Sequence, residues 1–276
     1  MRYSAITKRI KRLIADNAGL MTGPGTNTYL IKGDGWTVID PGPAIKSHID
    51  NILKITSGDL KNILITHTHL DHSPAANYLH DITQAPVMGM KPIYANNQDP
   101  KFCPNVILSG GEVLNKSRDS IRVVHTPGHA SNHLCFFMEE EKVIFAGDHI
   151  MNGSTVVIIP PDGNMSHYLQ SLHYLLKLDL KLIAPGHGEI MDSPDEVIKG
   201  IIQHRLSREA KVIRAMKKIK SGTLDEILKF VYQDVDQRLL FIAKFSLRAH
   251  LLKLMEEEII KLEKSNFSDD RDLWIF

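Results

Sequence analysis

Three imidazoles and a carboxylate fall within Thr66-His67-Thr68-His69-Leu70-Asp71-His72, directly after the apolar run Asn62-Ile63-Leu64-Ile65. A lone histidine is usually a surface or core residue with an ordinary hydrogen bond; this density calls for another explanation. Alternate residues of an extended segment share a side, so His67 and His69 project together, and a following turn lets Asp71 and His72 face a second point. One segment can thus address two metal ions. Each ion takes about four to five donors with one position open to water, so more ligands are required. His129 in Thr126-Pro127-Gly128-His129, Asp148 in Gly147-Asp148 and His187 in Pro185-Gly186-His187-Gly188 supply them. Each sits on a turn just past an apolar strand, where an α/β sheet presents its ligands.

The elements that must position these residues are visible in the apolar patterning. Tyr29-Leu30-Ile31 and Trp36 to Asp40 flank Gly33-Asp34-Gly35 as a hairpin, and Ile45, Ile49, Ile52 and Ile55 have helical spacing. Ser73-Pro74 predicts a helix start, running to about His80. Strands at 121–125, 134–138, 143–146 and 182–185, with a helix over 166–177, give an α/β pattern. The segment Met1 to Leu20 is basic and helix-compatible, and Met21 to Asn27 is a Gly/Pro-rich loop. From about Ile198 glycine and proline nearly vanish, and several helices are predicted, separated near Ser221-Gly222 and Asp234-Val235-Asp236. The expected organisation is a catalytic domain over 1–197, a helical domain over 198–264 and a tail over 265–276. Ser265 to Arg271 is expected to be a loose end, and Leu273 to Phe276 a segment able to dock.

In order and spacing, HxHxDH, the glycine-led His129, Asp148 and the Gly186-His187 loop resemble the metallo-β-lactamase fold superfamily, over roughly residues 21–190. The resemblance implies an αββα sandwich in which His67, His69 and His129 bind one zinc, Asp71, His72 and His187 bind a second, and Asp148 bridges both. It also implies that Asp40 supports ligand orientation. Two such ions lower the pKa of a shared water from about 15.7 to near 7, giving a bridging hydroxide, with Asp71 as the adjacent proton acceptor. Mixed imidazole and carboxylate donors also accept Mn2+ or Fe.

Common zinc β-lactamases carry cysteine where this chain has Asp148, which argues against antibiotic hydrolysis. The loop Thr22 to Leu30 resembles the GTNTYL signature of the β-lactamase-like protein 2 group of single-strand endoribonucleases. Residues 153–168, Pro185 to Gly188, His204-Arg205 and 249–258 extend that resemblance to nearly the whole chain, and imply a winged-helix-like C-terminal domain. The expected activity is hydrolysis of a phosphodiester in single-stranded RNA, with Thr26 and Asn27 as substrate contacts. A glyoxalase II-like thioesterase is the rival, although Gly188-Glu189 departs from its usual final motif; a lactonase of small molecules is a third reading. A metal-free binding module conflicts with the intact set of seven candidate ligands.

The remaining features constrain the setting. Residues 205–220 form an amphipathic helix whose Arg208, Lys211, Arg214, Lys217 and Lys218 share one half, but the whole chain is only +1 and no aromatic residues alternate with them. A solvated surface is the expectation. His125, His133 and His149 neighbour candidate ligands and are read as strand-end hydrogen bonding; His48, His80, His167, His173, His204 and His250 are read as ordinary. No apolar run approaches the ~18 to 20 residues of a membrane span, and Cys103 and Cys135 form no CxxC pair. A cytoplasmic protein without membrane contact is predicted.

Overall fold

Strands covered on both faces read as unbroken apolar runs, and every residue of Leu134–Met138 and Val143–Gly147 is buried. The computed structural model describes residues 3–114, 120–264 and 271–276. Its first sheet contains β1 (Tyr3–Ala5), β2 (Ile10–Ile14), β3 (Asn27–Gly33), β4 (Gly35–Ile39), β5 (Leu60–Leu64), β6 (Val87–Gly89) and β7 (Val106–Ile107), side by side in that order. The pairs from β1 to β4 are antiparallel, and those from β4 to β7 are parallel. The second sheet runs β12-β11-β10-β9-β8, from β8 (Val113–Leu114), β9 (Ile121–His125), β10 (Leu134–Met138), β11 (Val143–Gly147) and β12 (Leu182–Pro185).

Side-chain alternation builds the layers. Tyr29, Ile31, Phe136, Met138 and Phe145 meet between the sheets. Leu30, Val38 and Ile63 face outward against α1 (Lys46–Thr56) and α2 (Ala75–Thr83). Cys135, Phe137 and Ile144 face outward against α3 (Met165–Leu175) and the start of α4 (Pro194–Ile219). This is the expected αββα sandwich.

The N-terminal segment differs from the helix expected of it: its described residues pair as β1 and β2 at the sheet edge. The basic residues there have local partners that composition does not reveal. Arg12 is buried and donates to the Gly188 carbonyl, and Lys11 lies 5.0 Å from the Trp36 ring centre.

The uninterrupted α4 leads from the sandwich into a smaller unit. Pro194 in the first turn, with Asp195 and Glu196, and Lys217 and Lys218 in the last turn complement its dipole. Beyond it lie β13 (Ser221–Gly222), α5 (Leu224–Val231), a 3-10 turn (Gln237–Leu239), α6 (Leu240–Glu256), β14 (Lys261–Glu263) and β15 (Leu273–Ile275). Thr223 and Glu226 form a reciprocal capping box at the start of α5. The strands form a small antiparallel sheet in the order β13-β15-β14, giving a winged-helix unit rather than helices alone. Its last strand is thus docked, as Leu273 to Phe276 allowed; residues 265–270 of the anticipated loose end lie outside the described residues. Among the described residues no helix is long and apolar enough to cross a membrane.

Trp274 is buried among Val212, Met216, Ile227 and Leu251. Trp274→Ala is expected to destabilise the winged-helix unit by about 3–5 kcal/mol, measured by guanidinium unfolding followed by circular dichroism. A change under about 1 kcal/mol would contradict the docked strand.

Candidate metal centre

The chain reaches the site as β5 ends. The N–H groups of His72 and Ser73 bond back to the His69 carbonyl, which reverses the backbone and turns Asp71 and His72 away from His67 and His69. The seven sequence-predicted side chains come together in groups of donor atoms within 4.8 Å of one another: His67, His69 and His129; His67, His72 and Asp148; Asp71, His72 and His187.

In the first group His67 Nε2 lies 2.9 Å and His129 Nε2 3.1 Å from His69 Nδ1. Adjacent corners of a tetrahedral shell with bonds near 2.0–2.1 Å are about 3.3 Å apart, so these atoms suit one ion. In the second group His187 Nε2 lies 3.1 Å and His72 Nε2 3.5 Å from Asp71 Oδ2. Asp148 divides its oxygens: Oδ1 is 3.4 Å from both His72 Nε2 and His187 Nε2, and Oδ2 is 3.8 Å from His129 Nε2.

Hydrogen bonds on the far side of each ring fix which nitrogen faces inward. Thr66 Oγ1 donates to Asp40 Oδ2 at 2.7 Å, so it must accept from His67 Nδ1 at 3.0 Å, leaving the His67 Nε2 lone pair free. His72 Nδ1 donates to Asp40 Oδ2, His129 Nδ1 to the Val157 carbonyl and His187 Nδ1 to the Gly25 carbonyl. The buried His72 Nε2 and Asp148 Oδ1 have no hydrogen-bond partner. Lone pairs aimed at common points, with buried acceptors otherwise unmet, fit a pair of divalent metal ions.

Electrostatics separate the two groups. Burial, reinforced by neighbouring imidazoles, holds His67 well below its ordinary pKa and lowers His69 to about 3. Burial also opposes charge on His72, yet Asp71, Asp148 and Asp40 outweigh it and raise its pKa well above normal. Against the same burial, Asp148 and Asp71 raise His187 to about 10. Asp71, which burial would raise, is brought down to about 2 by His72 and His187, and Asp148 is held well below the carboxylate range by His187 and His72. A cation entering the second group therefore displaces imidazolium protons.

Asp40 occupies the orienting position expected of it, at a φ of 47°, with Oδ1 accepting the Thr66 N–H. Thr26 and Asn27 do not stand where substrate contacts were expected. Both are fully buried: Thr26 Oγ1 lies 3.3 Å from Asp71 Oδ2, while Asn27 Nδ2 donates to the Pro185 and Gly188 carbonyls. They clamp the His187 loop, and their neighbours Gly23 and Pro24 face the cavity instead. His125 bonds to the Ser131 carbonyl and His133 Nδ1 to Thr126 Oγ1, while His149 is buried with both ring nitrogens unpartnered. Thr66, Val157 and Gly25 were not anticipated; two act through backbone carbonyls, which carry no signal in the residue type.

A cavity of about 610 Å3 opens over the cluster, lined by His69, Asp71, His129, Asp148 and His187. The sandwich adds Leu20, Met21, Leu70, Met151, Val156 and Ile159, and the winged-helix unit adds Tyr232, Val235, Leu239, Ile242 and Ala243. On the basic helix Arg208 and Lys211 both pair with Asp234.

The metallo-beta-lactamase superfamily pattern matches residues 21–187, and the beta-lactamase associated winged helix domain matches residues 223–274. The chain belongs to the metallo-β-lactamase superfamily. The superfamily match encloses all seven candidate ligands, ending on His187. Among its relatives, lactamase-like protein aptB of Emericella nidulans is 30% identical, across 96% of this chain and 87% of its own. The beta-lactamase-like protein 2 homolog of Drosophila melanogaster is 28% identical, across 94% and 92%, and an atrochrysone carboxyl ACP thioesterase of Aspergillus fumigatus is 28% identical, across 78% and 67%. A beta-lactamase domain protein from Burkholderia ambifaria shares this metallo-β-lactamase fold at a TM-score of 0.82 and 20% identity, covering 99% of this chain and 94% of its own.

A Cβ added at Gly186 would lie 2.4 Å from Asp148 Oδ1 and 2.8 Å from His72 Cε1. Gly186→Ala is expected to weaken metal uptake roughly 10- to 100-fold in chelator competition; unchanged affinity would refute the close approach. His48 tests the ring behind Asp40. Thr28 Oγ1 donates to the Asp40 carbonyl, so it accepts from His48 Nε2, whose pKa burial lowers to about 4. The unfolded chain takes up this proton first, near 6.5. Wild type should thus lose stability relative to His48→Gln as pH falls from 6.5 to 4, measured by urea midpoints; parallel profiles would contradict a buried neutral ring.

Proposed function

We propose that this protein is a dinuclear metal hydrolase that cleaves the ester or thioester bond of a small substrate with an apolar body. The cavity carries this reading: its volume of about 610 Å3 suits a small molecule, and aliphatic and aromatic side chains from both domains surround the candidate ligands. The thioesterase among the relatives supports it.

In this reading His67, His69 and His129 would hold one ion and Asp71, His72 and His187 the other, with Asp148 between the two groups as a candidate ligand of both. Two bound ions, zinc foremost and Mn2+ or Fe as alternatives, would supply Lewis acidity and lower the pKa of a water. The chain does the rest. Asp40 and the Val157 and Gly25 carbonyls each take the Nδ1 proton of His72, His129 and His187, so Nε2 is the nitrogen turned inward on all three rings. Asp71, with its side chain 27% exposed toward the cavity, accepts the proton of the attacking water and returns it to the leaving group. Apolar walls limit competing water. The unpaired thiols of Cys103 and Cys135 accord with a cytoplasmic setting.

A phosphodiester in single-stranded RNA is the second reading. Tyr232 in the cavity wall, 4.3 Å from the Arg208 guanidinium, offers a stacking surface for a base. The pairing of Arg208 and Lys211 with Asp234 weakens a phosphate track along α4.

A panel of an aryl thioester, S-lactoylglutathione, a homoserine lactone and a single-stranded RNA oligonucleotide, each with zinc, manganese or iron, tests the choice. Turnover of a thioester or ester is expected, with Asp148→Ala losing bound metal and activity together. Cleavage of the oligonucleotide alone would replace the ester reading with the nuclease one. Full turnover by Asp148→Ala would overturn the metal mechanism.

A further inference from the structure

Arg205 projects from α4 into the region where the two domains meet and lines the same cavity as His69, Asp71, His129, Asp148 and His187. It is only 3% exposed. A guanidinium cannot shed its proton at any accessible pH, so it brings a full charge into this low-dielectric place, and such a charge is ordinarily neutralised by a carboxylate. The other buried or cavity-lining arginines obey that rule: Arg12 pairs with Glu189 and Arg208 with Asp234. Arg205 makes no ion pair with any described carboxylate. One Nη donates to the Val156 carbonyl, the guanidinium carbon lies 5.3 Å from the Tyr168 ring centre, and the buried Nε has no partner.

We propose that Arg205 recognises an anionic oxygen group, a carboxylate or a phosphate, carried by the substrate alongside its apolar body. The proposal rests on the reading of the cavity as a substrate site and sharpens its substrate class. Arg205 lines the cavity with a permanent charge, so an anionic oxygen group seated there would supply the counter-charge that the fold omits. The candidate ligands engage the scissile bond while Arg205 fixes the other end, so the anion sets which ester enters in register. The competing role is purely architectural. Arg205 holds Val156, and the next carbonyl, that of Val157, orients His129, so loss of the side chain could disturb the metal group alone.

The test uses metal-loaded protein and three matched aryl thioesters whose acyl chains end in a methyl, a carboxylate or a phosphate group. Wild type is expected to favour one or both anionic substrates by roughly 10- to 100-fold in kcat/KM, with the better one naming the anion. Arg205→Met should abolish that preference mainly through KM, leave the methyl-ended substrate within about 3-fold and retain its metal; Arg205→Lys should recover part of the preference. No preference in wild type, or an equal loss on all three substrates by Arg205→Met, overturns the proposal. A binding arm stands apart from turnover and from the ester reading. Benzoate or phenyl phosphate, but not benzyl alcohol, should raise the thermal midpoint of wild type and not of Arg205→Met. Equal shifts in both proteins would mean that the anion binds elsewhere, and no shift in wild type would likewise refute the subsite. If Arg205→Met does not fold, the wild-type substrate series and the Arg205→Lys comparison decide.

Discussion

Two carboxylates and five imidazoles crowd one end of the sandwich, and the hydrogen bonds behind them decide which ring nitrogen faces the cluster. Asp40 makes most of those assignments. It accepts from the Thr66 N–H, the Thr66 hydroxyl and His72 Nδ1, and through Thr66 it also sets the proton on His67. A non-glycine residue at positive φ is disfavoured by about 1–3 kcal/mol, and three accepted hydrogen bonds offset that cost. Thr66 gives this arrangement a second purpose: its carbonyl accepts the Leu134 N–H, which ties the end of the first sheet to the second. The part of the fold that orients the rings is therefore also a seam of the sandwich.

The cluster alone does not define a substrate. The sandwich contributes the seven candidate ligands, and the winged-helix unit contributes a largely aliphatic wall in Val235, Leu239, Ile242 and Ala243, with Tyr232 beside them. The space beside the candidate ligands is thus bounded by both units, and the donors by themselves do not name the bond that is cut.

How much of this was legible in the sequence follows from how local each feature is. HxHxDH lies in one loop, and its density marks it without any fold. The strands carrying Asp148 and His187 were visible as the apolar runs Val143–Gly147 and Leu182–Pro185, while the strand before His129 showed through its buried Ile121, Val123 and Val124 around the half-buried Arg122. Thr26 and Asn27 misled, because a polar pair in a Gly/Pro-rich loop reads as exposed, whereas here both are buried against the His187 loop. The basic N-terminal segment misled for a related reason: Arg12 pairs with the Gly188 carbonyl and Glu189, more than 170 positions away in the chain. The cavity wall had no local signature, since Tyr232 and Ile242 become neighbours of Met151 only through packing across the two units.

The helix α4 runs 26 residues without a break. An α-helix advances about 1.5 Å and turns about 100° with each residue. One residue gained or lost between Arg205 and Val212 would therefore swing the whole distal unit around the shaft and strip the far wall from the cavity, while leaving the composition and hydrophobicity of the chain almost unchanged. In this stretch the count of residues is a design parameter in its own right.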